Sequence, residues 1–322
     1  MGRAIDPRVA APYEPPVRIL LAGATGAIGV PLLTLLAAQG YEVTALTRSE
    51  ERARAIHGPR VHARVCDVYD EEALVRAAVE SKPDAVLHEL TALPKRLRPR
   101  RVNEDTAATN RLRTEGTRNL LRAAAAAGAK RFIAQSIAFV TKPEGPAVLD
   151  ESAPLYLDAA PSMRAPIAAV AELERLVTTA PGICGTVLRY GFFYGPCTSY
   201  ATDGAVTEDI ARGRIPIVGD GGGLWSFVHV DDAARATALA LERGEGIYNV
   251  TDDDPAPSRE WIAHLAARFG KKPMRVPGWV GRIAAGPYGV FLMTELRGAN
   301  NGKARGELGW APSRAWRTSL GC

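Results

Sequence analysis

Leu20-Leu21-Ala22-Gly23-Ala24-Thr25-Gly26-Ala27-Ile28-Gly29 is the stretch that decides the fold. The apolar run from Val17 to Leu21 is broken by a glycine-rich turn, after which Ile28, Leu32, Leu33, Leu35 and Leu36 recur at helical spacing. The order is strand, turn, helix. Gly23 permits the tight turn, Gly26 lets a pyrophosphate approach the backbone, and Gly29 lets the helix pack close to the strand. The helix start then offers free N–H groups and the positive end of its dipole to an anion. A ligand-free turn also tolerates three glycines, but the strand before and the amphipathic helix after favour a dinucleotide site.

Working outward, strands are expected at Tyr41–Thr47, Val61–Cys66, Asp84–His88, Lys130–Ser136, Gly185–Arg189 and Gly246–Val250. Helices are expected over Asp70–Glu80, Glu104–Ala127 and Arg164–Thr179. Strands alternating with helices at this spacing imply an α/β fold, a Rossmann-type doubly wound parallel sheet. Residues 17–190 plus 227–250 would form the dinucleotide-binding domain. Residues 191–226 plus 251–322 would form a small C-terminal substrate lobe, with two helical segments after 251. Asp231 or Asp232 is placed to cap the helix after Phe227-Val228-His229-Val230.

The second strand ends in Thr47-Arg48, where an acid would bind both adenosine ribose hydroxyls and select NAD. A guanidinium there suits a 2′-phosphate instead, so NADP(H) is expected over NAD(H).

The 322 residues suffice for a full core, and composition is that of a globular protein, 47% hydrophobic and 23% charged. Residues 1–16 lack an apolar signal core and read as a loose, Pro-rich tail. No apolar stretch is long enough for a membrane span. Cys66, Cys184, Cys197 and Cys322 show no ligand-like spacing, which fits a reducing cytoplasm and argues against a structural metal. The net charge is +5, and the densest basic run is Lys95-Arg96-Leu97-Arg98-Pro99-Arg100-Arg101. With no recognition motif beside it, this run reads as a solvated loop or a contact for an acidic substrate, not a nucleic-acid site.

Together the motifs resemble an extended short-chain dehydrogenase/reductase of the NAD-dependent epimerase/dehydratase type. The carriers are Gly23-x-x-Gly26-x-x-Gly29, Asp67-Val68, Asn110 with Gly116-Thr117-x-Asn119-Leu120-Leu121, and Arg131-Phe132-Ile133 leading to Ser136. Leu188-Arg189-Tyr190-Gly191, Tyr194-Gly195-Pro196, Phe227-Val228-His229-Val230-Asp231-Asp232-Ala233 and Glu307-Leu308-Gly309-Trp310-x-Pro312 complete the set. The resemblance implies that Gly23, Thr25, Gly26, Ala27, Ile28 and Gly29 hold the pyrophosphate and that Arg48 meets the 2′-phosphate. It also implies that Asp67 and Val68 flank the adenine, that Leu90 and Thr91 line the cofactor, and that Gly191 and Phe192 sit by the nicotinamide. A homodimer through residues 104–127 and 164–179 is a family habit, and the small-residue face Ala123–Ala127 permits close packing either there or inside the monomer.

The chain departs from the family where its chemistry resides. None of the nine tyrosines has a lysine four residues later. Registering the helix on Ala171-Glu172 puts Arg164 and Ala168 in the Tyr and Lys places; registering on Glu174 puts Pro166 and Val170 there. The usual Ser/Thr slot holds Ile137, with Ser136 one residue earlier, either facing the nicotinamide or satisfying the strand end. Ser136, Tyr194 and Arg164 are the catalytic candidates, and Tyr194, Trp225 and His229 the substrate contacts. His88 reads as a satisfied core histidine. Glu89 is harder to dismiss, because a carboxylate at that edge is costly unless paired. Leu224-Trp225-Ser226-Phe227 lacks the arginine with which nucleotide-sugar enzymes grip phosphate, so a smaller, less charged, aromatic or alicyclic metabolite is expected. The expected activity is NADP(H)-dependent oxidation or reduction of a carbonyl or alcohol. The alternatives are a redox-silent isomerase, lyase or cyclase, and a non-catalytic NADP(H)-binding sensor or scaffold.

Overall fold

The computed structural model describes residues 18–321. The expected tail over 1–16 lies outside them, as do Val17 and Cys322. Five strands arise in the first half: β1 (Arg18–Ala22), β2 (Glu42–Thr47), β3 (Val61–Val65), β4 (Ala85–His88) and β5 (Arg131–Ile137). A two-residue strand β6 (Val148–Leu149), then β7 (Cys184–Tyr190) and β8 (Phe192–Tyr194), follow. The main sheet has seven parallel strands in the order Gly246–Val250, β7, β5, β4, β1, β2, β3. The order reverses between β1 and β4. At such a switch point the connections run to opposite faces and leave a crevice at the carboxyl ends of the strands.

Alternation along each strand builds two cores. Ile19, Leu21, Val43, Ala45 and Leu87 face α1 (Gly29–Ala38) and the helix Val230–Arg243. Leu20, Ala22, Leu46, Val86, Phe132 and Ala134 face the opposite layer. That layer holds α3 (Glu71–Ser81), α5 (Thr117–Ala126) and α6 (Pro161–Thr178). Burial on both faces explains why these strands read as continuous apolar runs. α2 (Glu50–Ile56) starts at Ser49, whose side chain accepts the Arg52 N–H.

A third core is built around Trp225, Trp261 and Trp316, from the stretches expected to form the lobe, and Phe227, expected in the dinucleotide-binding domain, joins it. Met163, Ile167 and Val170 of α6 join it, while Ala304, Leu308 and Trp310 return to the first face of the sheet. The stretch 251–322, which the sequence assigns wholly to the lobe, therefore feeds both cores.

Several local expectations are corrected. The long helix expected over 104–127 is α4 (Val102–Arg111), a wide π turn Leu112–Gly116 and α5. α6 begins at Pro161, ahead of Arg164, because proline suits the first turn. The helix Val230–Arg243 is capped by neither Asp231 nor Asp232: Nδ1 of His229 accepts the Asp231 N–H at 3.1 Å. After 251 the chain makes helices at Ser258–Ala267 and Trp316–Ser319 and a helical stretch Gly278–Val290 broken at Gly286 (φ +70°), with π turns at Phe291–Glu295 and Ala304–Leu308. Of the small-residue face 123–127, Ala123 and Ala124 are buried while Ala125 and Ala126 are exposed, which leaves both expected packings open.

The basic run is tied down internally. Arg96 pairs with Glu208 and Asp209, Arg98 with Asp105, and Arg101 with Glu104, while Arg100 donates to the Ile283 carbonyl at 2.8 Å. Among the described residues no helix is long and apolar enough to cross a membrane. No cluster of three or more His, Cys, Asp or Glu side chains there could hold a metal ion.

Candidate active site

The glycine turn closes β1 at the switch point. Gly23 has φ +106°, and a Cβ on it would stand 2.6 Å from the backbone carbonyl of Glu89, just past β4. A Cβ on Gly29 would stand 2.1 Å from the Gly23 oxygen. Both positions therefore require glycine. Thr25 and Ala27 are half-buried and Gly26 is exposed, with its N–H bonded to the Gly23 oxygen at 3.0 Å. No side chain caps α1 and no acid lies in its first turn. Bare backbone, an uncapped helix start and no competing carboxylate fit the pyrophosphate of a dinucleotide.

The residues expected at an adenosine end are similarly open. Arg48 is exposed just after β2 and makes no ion pair or hydrogen bond among the described residues. Asp67 is exposed, and its carboxylate accepts the Tyr69 N–H at 3.0 Å. Val68 is buried, with its carbonyl accepting from Asn119 at 2.9 Å.

At the end of β4, His88 has both nitrogens engaged. Nδ1 accepts the Leu90 N–H at 3.3 Å, so Nε2 carries the hydrogen and donates to the Leu112 carbonyl at 3.3 Å. Burial pushes its pKa down to about 4, which makes it a neutral brace between β4 and the π turn. Glu89 is 5% exposed, and neither carboxylate oxygen has a hydrogen-bond partner. Desolvation alone pushes its pKa up to about 8, so near neutral pH it is mostly a carboxylic acid. Leu90 is half-buried and Thr91 exposed.

Two of the three catalytic candidates, Ser136 and Arg164, are held by other partners. The fully buried Ser136 hydroxyl donates to Glu174 at 2.9 Å. Glu174 in turn takes a two-pronged pair from Arg189, at 2.8 and 2.7 Å. Tyr194 is also fully buried. Its hydroxyl and Oδ1 of Asp252 lack well-directed hydrogen bonds, yet each feels the other. Burial pushes the phenol far above its usual value and Asp252 up to about 8, so Tyr194 is no base at neutral pH. Arg164 is exposed at the start of α6 and donates to the Ala159 carbonyl at 2.8 Å.

The substrate-contact candidates are largely internal too. His229 is 5% exposed and spent on its helix cap; burial lowers its pKa, so Asp231 at 3.5 Å faces a neutral ring. The Trp225 N–H donates to Ser258 and to the Leu292 carbonyl at 2.8 and 2.9 Å. Gly191 is pressed against the Ser226 carbonyl, where a Cβ would stand at 2.4 Å. Phe192, half-buried, has its ring centroid 3.9 Å from that of Phe139 and 4.2 Å from that of Trp225. Phe139 and Phe192 thus form an aromatic wall with Trp225 behind it.

Over residues 19–251 the sequence matches the family model for the NAD dependent epimerase/dehydratase family. The chain belongs to that family. It is 47% identical over 309 residues to a 3-diazoavenalumate denitrifying reductase from a Streptomyces species, covering 95% of this chain and 99% of that protein. It is 28% identical over 324 residues to a 4-hydroxy-2-methyl-3-oxo-4-farnesyl-3,4-dihydroquinoline-1-oxide ketoreductase from Stigmatella aurantiaca, covering 92% of each. The Thermus thermophilus UDP-glucose 4-epimerase, solved with NAD, superposes with a TM-score of 0.72 at 26% identity, covering 94% of this chain and 96% of that one. This member of the epimerase/dehydratase family is thus an NAD(P)-dependent enzyme of the oxidoreductase or epimerase type.

Two features of this family member escaped the sequence reading. The Ser136–Glu174–Arg189 network was signalled by Glu174 standing with Val170, Leu173 and Val177 on the buried face of α6. The second is Arg113, in the π turn. It is 6% exposed, and its guanidinium makes no ion pair or hydrogen bond among the described residues. Desolvation pushes its pKa down to about 10, with Tyr288 and Glu174 opposing the shift. Thr109, Leu112, Gly116 and Leu120 at helical spacing marked a stripe alongside it.

Proposed function

We propose that the protein is an NADP(H)-dependent reductase that delivers hydride to a small diazo metabolite, releasing dinitrogen. The observation that carries this reading is the missing proton donor. A carbonyl that takes hydride becomes an alkoxide and needs a proton, which the family's tyrosine supplies. Here Arg164 and Ala168, or Pro166 and Val170, stand in the Tyr and Lys places, Ile137 fills the hydroxyl slot, Ser136 is buried on Glu174, and Tyr194 is buried with its hydroxyl unpartnered. A diazonium carbon behaves differently: R–N2⁺ plus hydride gives R–H plus N2. The C–N bond breaks, its electron pair leaves with nitrogen, and no oxyanion forms. A site without the pair suits that balance, and the 47% identical relative is named for a denitrifying reduction of a diazo compound.

The bound nicotinamide supplies the hydride. The chain's own residues bind, orient and exclude water. The glycine turn and the start of α1 hold the pyrophosphate, and Arg48 receives the 2′-phosphate. Asp67 and Val68 flank the adenine, and Leu90, Thr91 and Gly191 line the rest of the cofactor. Phe139 and Phe192 wall off solvent beside the reacting carbon.

One observation favours a second reading. Glu89, a neutral acid at the cofactor edge, has the proton that a carbonyl reductase such as the 28% identical relative requires. One experiment separates the two. The protein is mixed with stereospecifically deuterated NADPH and an arenediazonium salt carrying labelled nitrogen, beside a panel of aldehydes, ketones and quinones and a heat-inactivated control. The diazo reading expects one deuterium in the product and one labelled N2 for each NADPH oxidised. Deuterium transfer to carbonyls only, abolished by Glu89→Gln, would establish the second reading instead.

A further inference from the structure

Burying a charge is expensive unless a partner answers it. Arg113 is the buried cation that the described residues leave unanswered. Glu174 is within electrostatic range, but Arg189 and Ser136 already occupy both its oxygens. His88, also in range, is neutral. Tyr288, just past the break at Gly286 that divides the helical stretch Gly278–Val290, is also within electrostatic range. Its hydroxyl makes no hydrogen bond among the described residues, and its pKa, raised to about 12 by burial, is eased by Arg113. A buried guanidinium and a half-buried phenol, neither with a hydrogen-bond partner among the described residues, thus lie within electrostatic range of each other.

The place is chemically suggestive. His88 ties the Leu112 carbonyl to the end of β4, which puts the π turn beside the cofactor edge. Phe139 and Phe192 follow the carboxyl ends of β5 and β7, the strands next along the sheet. Wide turns of this kind collect at functional sites. A planar anion with two oxygens matches the guanidinium fork and leaves an oxygen lone pair for the phenol.

We infer that Arg113 and Tyr288 form the recognition site for a carboxylate on the substrate, so that the substrate class is an aromatic or conjugated acid. The turnover of that acid rests on the reductase reading above; its binding does not. The probes are therefore unreactive: trans-4-hydroxycinnamate and its methyl ester, titrated by calorimetry into the full chain saturated with NADP⁺. The acid is expected to bind at least about tenfold more tightly than the ester. Arg113→Met should erase that preference while NADP⁺ affinity stays within about twofold, and Arg113→Lys should restore part of it. Tyr288→Phe should cost the acid about threefold and the ester nothing, which keeps the test open if Arg113→Met does not fold. Equal affinity of acid and ester for the unmodified protein, including no binding of either, overturns the inference. So does an Arg113→Met variant that loses NADP⁺ as severely as the acid, since the cation then serves the cofactor. Acid preference without diazo turnover keeps this site and removes the diazo reading; diazo turnover with indifference to the ester does the reverse.

Discussion

Two arginines are buried to nearly the same depth in this molecule, Arg189 at 4% exposure and Arg113 at 6%. Arg189, on β7, is answered by Glu174 of α6, which also accepts from Ser136, and it donates to the Glu151 carbonyl at 3.4 Å. Arg113 lies in the π turn beside the lobe and is answered by no side chain. The first region is closed: every charge has its complement inside the chain, and the network fixes how α6 sits on the sheet. The second is open. Similar burial therefore carries opposite meanings, and the difference is read from the partners, not from depth.

The largest effect is expected in the closed region. Glu174→Leu strands the Arg189 charge and should cost about 3–5 kcal/mol in urea unfolding. Adding Arg189→Met should recover most of that loss, because the pair as a whole contributes little net. A double variant as unstable as the single one would break the contrast.

The next test uses two buried acids, Glu89, whose oxygens have no hydrogen-bond partner, and Asp252, whose Oδ2 accepts the Trp316 N–H at 3.0 Å, both pushed up to about 8. Between pH 5 and 8 the folded chain holds protons that the unfolded chain has already released. Stability is thus retained at low pH and falls as pH rises, by up to about 1.4 kcal/mol per pH unit for each group. Glu89→Gln should flatten that slope measurably in unfolding curves taken across this range. An unchanged slope would mean that Glu89 finds a partner in solution.

A third arginine sharpens the contrast from outside. Arg48 is unanswered but exposed, so its freedom costs the apo protein nothing. Arg48→Ala should leave the melting temperature unchanged and weaken NADPH by about 10- to 100-fold, with NADH unaffected. Comparable NADPH and NADH affinities in the unmodified protein would remove the NADP preference. The smallest effect is expected for Arg113→Met, which should hold or raise stability, by up to about 2 kcal/mol, while catalysis falls. A loss of stability comparable to that of Glu174→Leu would place Arg113 in the closed class.

The sheet was legible because its strands are buried on both faces and advertise themselves as apolar runs. The expected strand Lys130–Ser136 and the observed Arg131–Ile137 differ by one residue at each end. The glycine turn was legible for a similar reason, since Gly23 and Gly29 are demanded locally, by a positive φ and by close backbone approach. What escaped was set by distant parts of the chain. The π turn leaves the apolar spacing of 104–127 looking like one helix, and the short segments after 251 are fixed by packing. Asp231 and Asp232 had the composition of a cap, but His229 reaches the free N–H first, leaving Asp232 to bind Ser313 and Arg314. Glu89 was conspicuous as an acid following an apolar strand. Arg113 was not, because one charge beside a helical stripe looks like any solvated residue until the lobe closes over it.

The return of Ala304, Leu308 and Trp310 to the sheet has a consequence for motion. The lobe is entered and left repeatedly, and its last segment is riveted back where the Trp310 N–H meets the Asp232 carbonyl at 2.9 Å and Asp232 holds Ser313. A body sewn to its neighbour by so many seams has no single pivot to swing on. Its admissible displacement is a short glide along the packed helices, not the swing of a door.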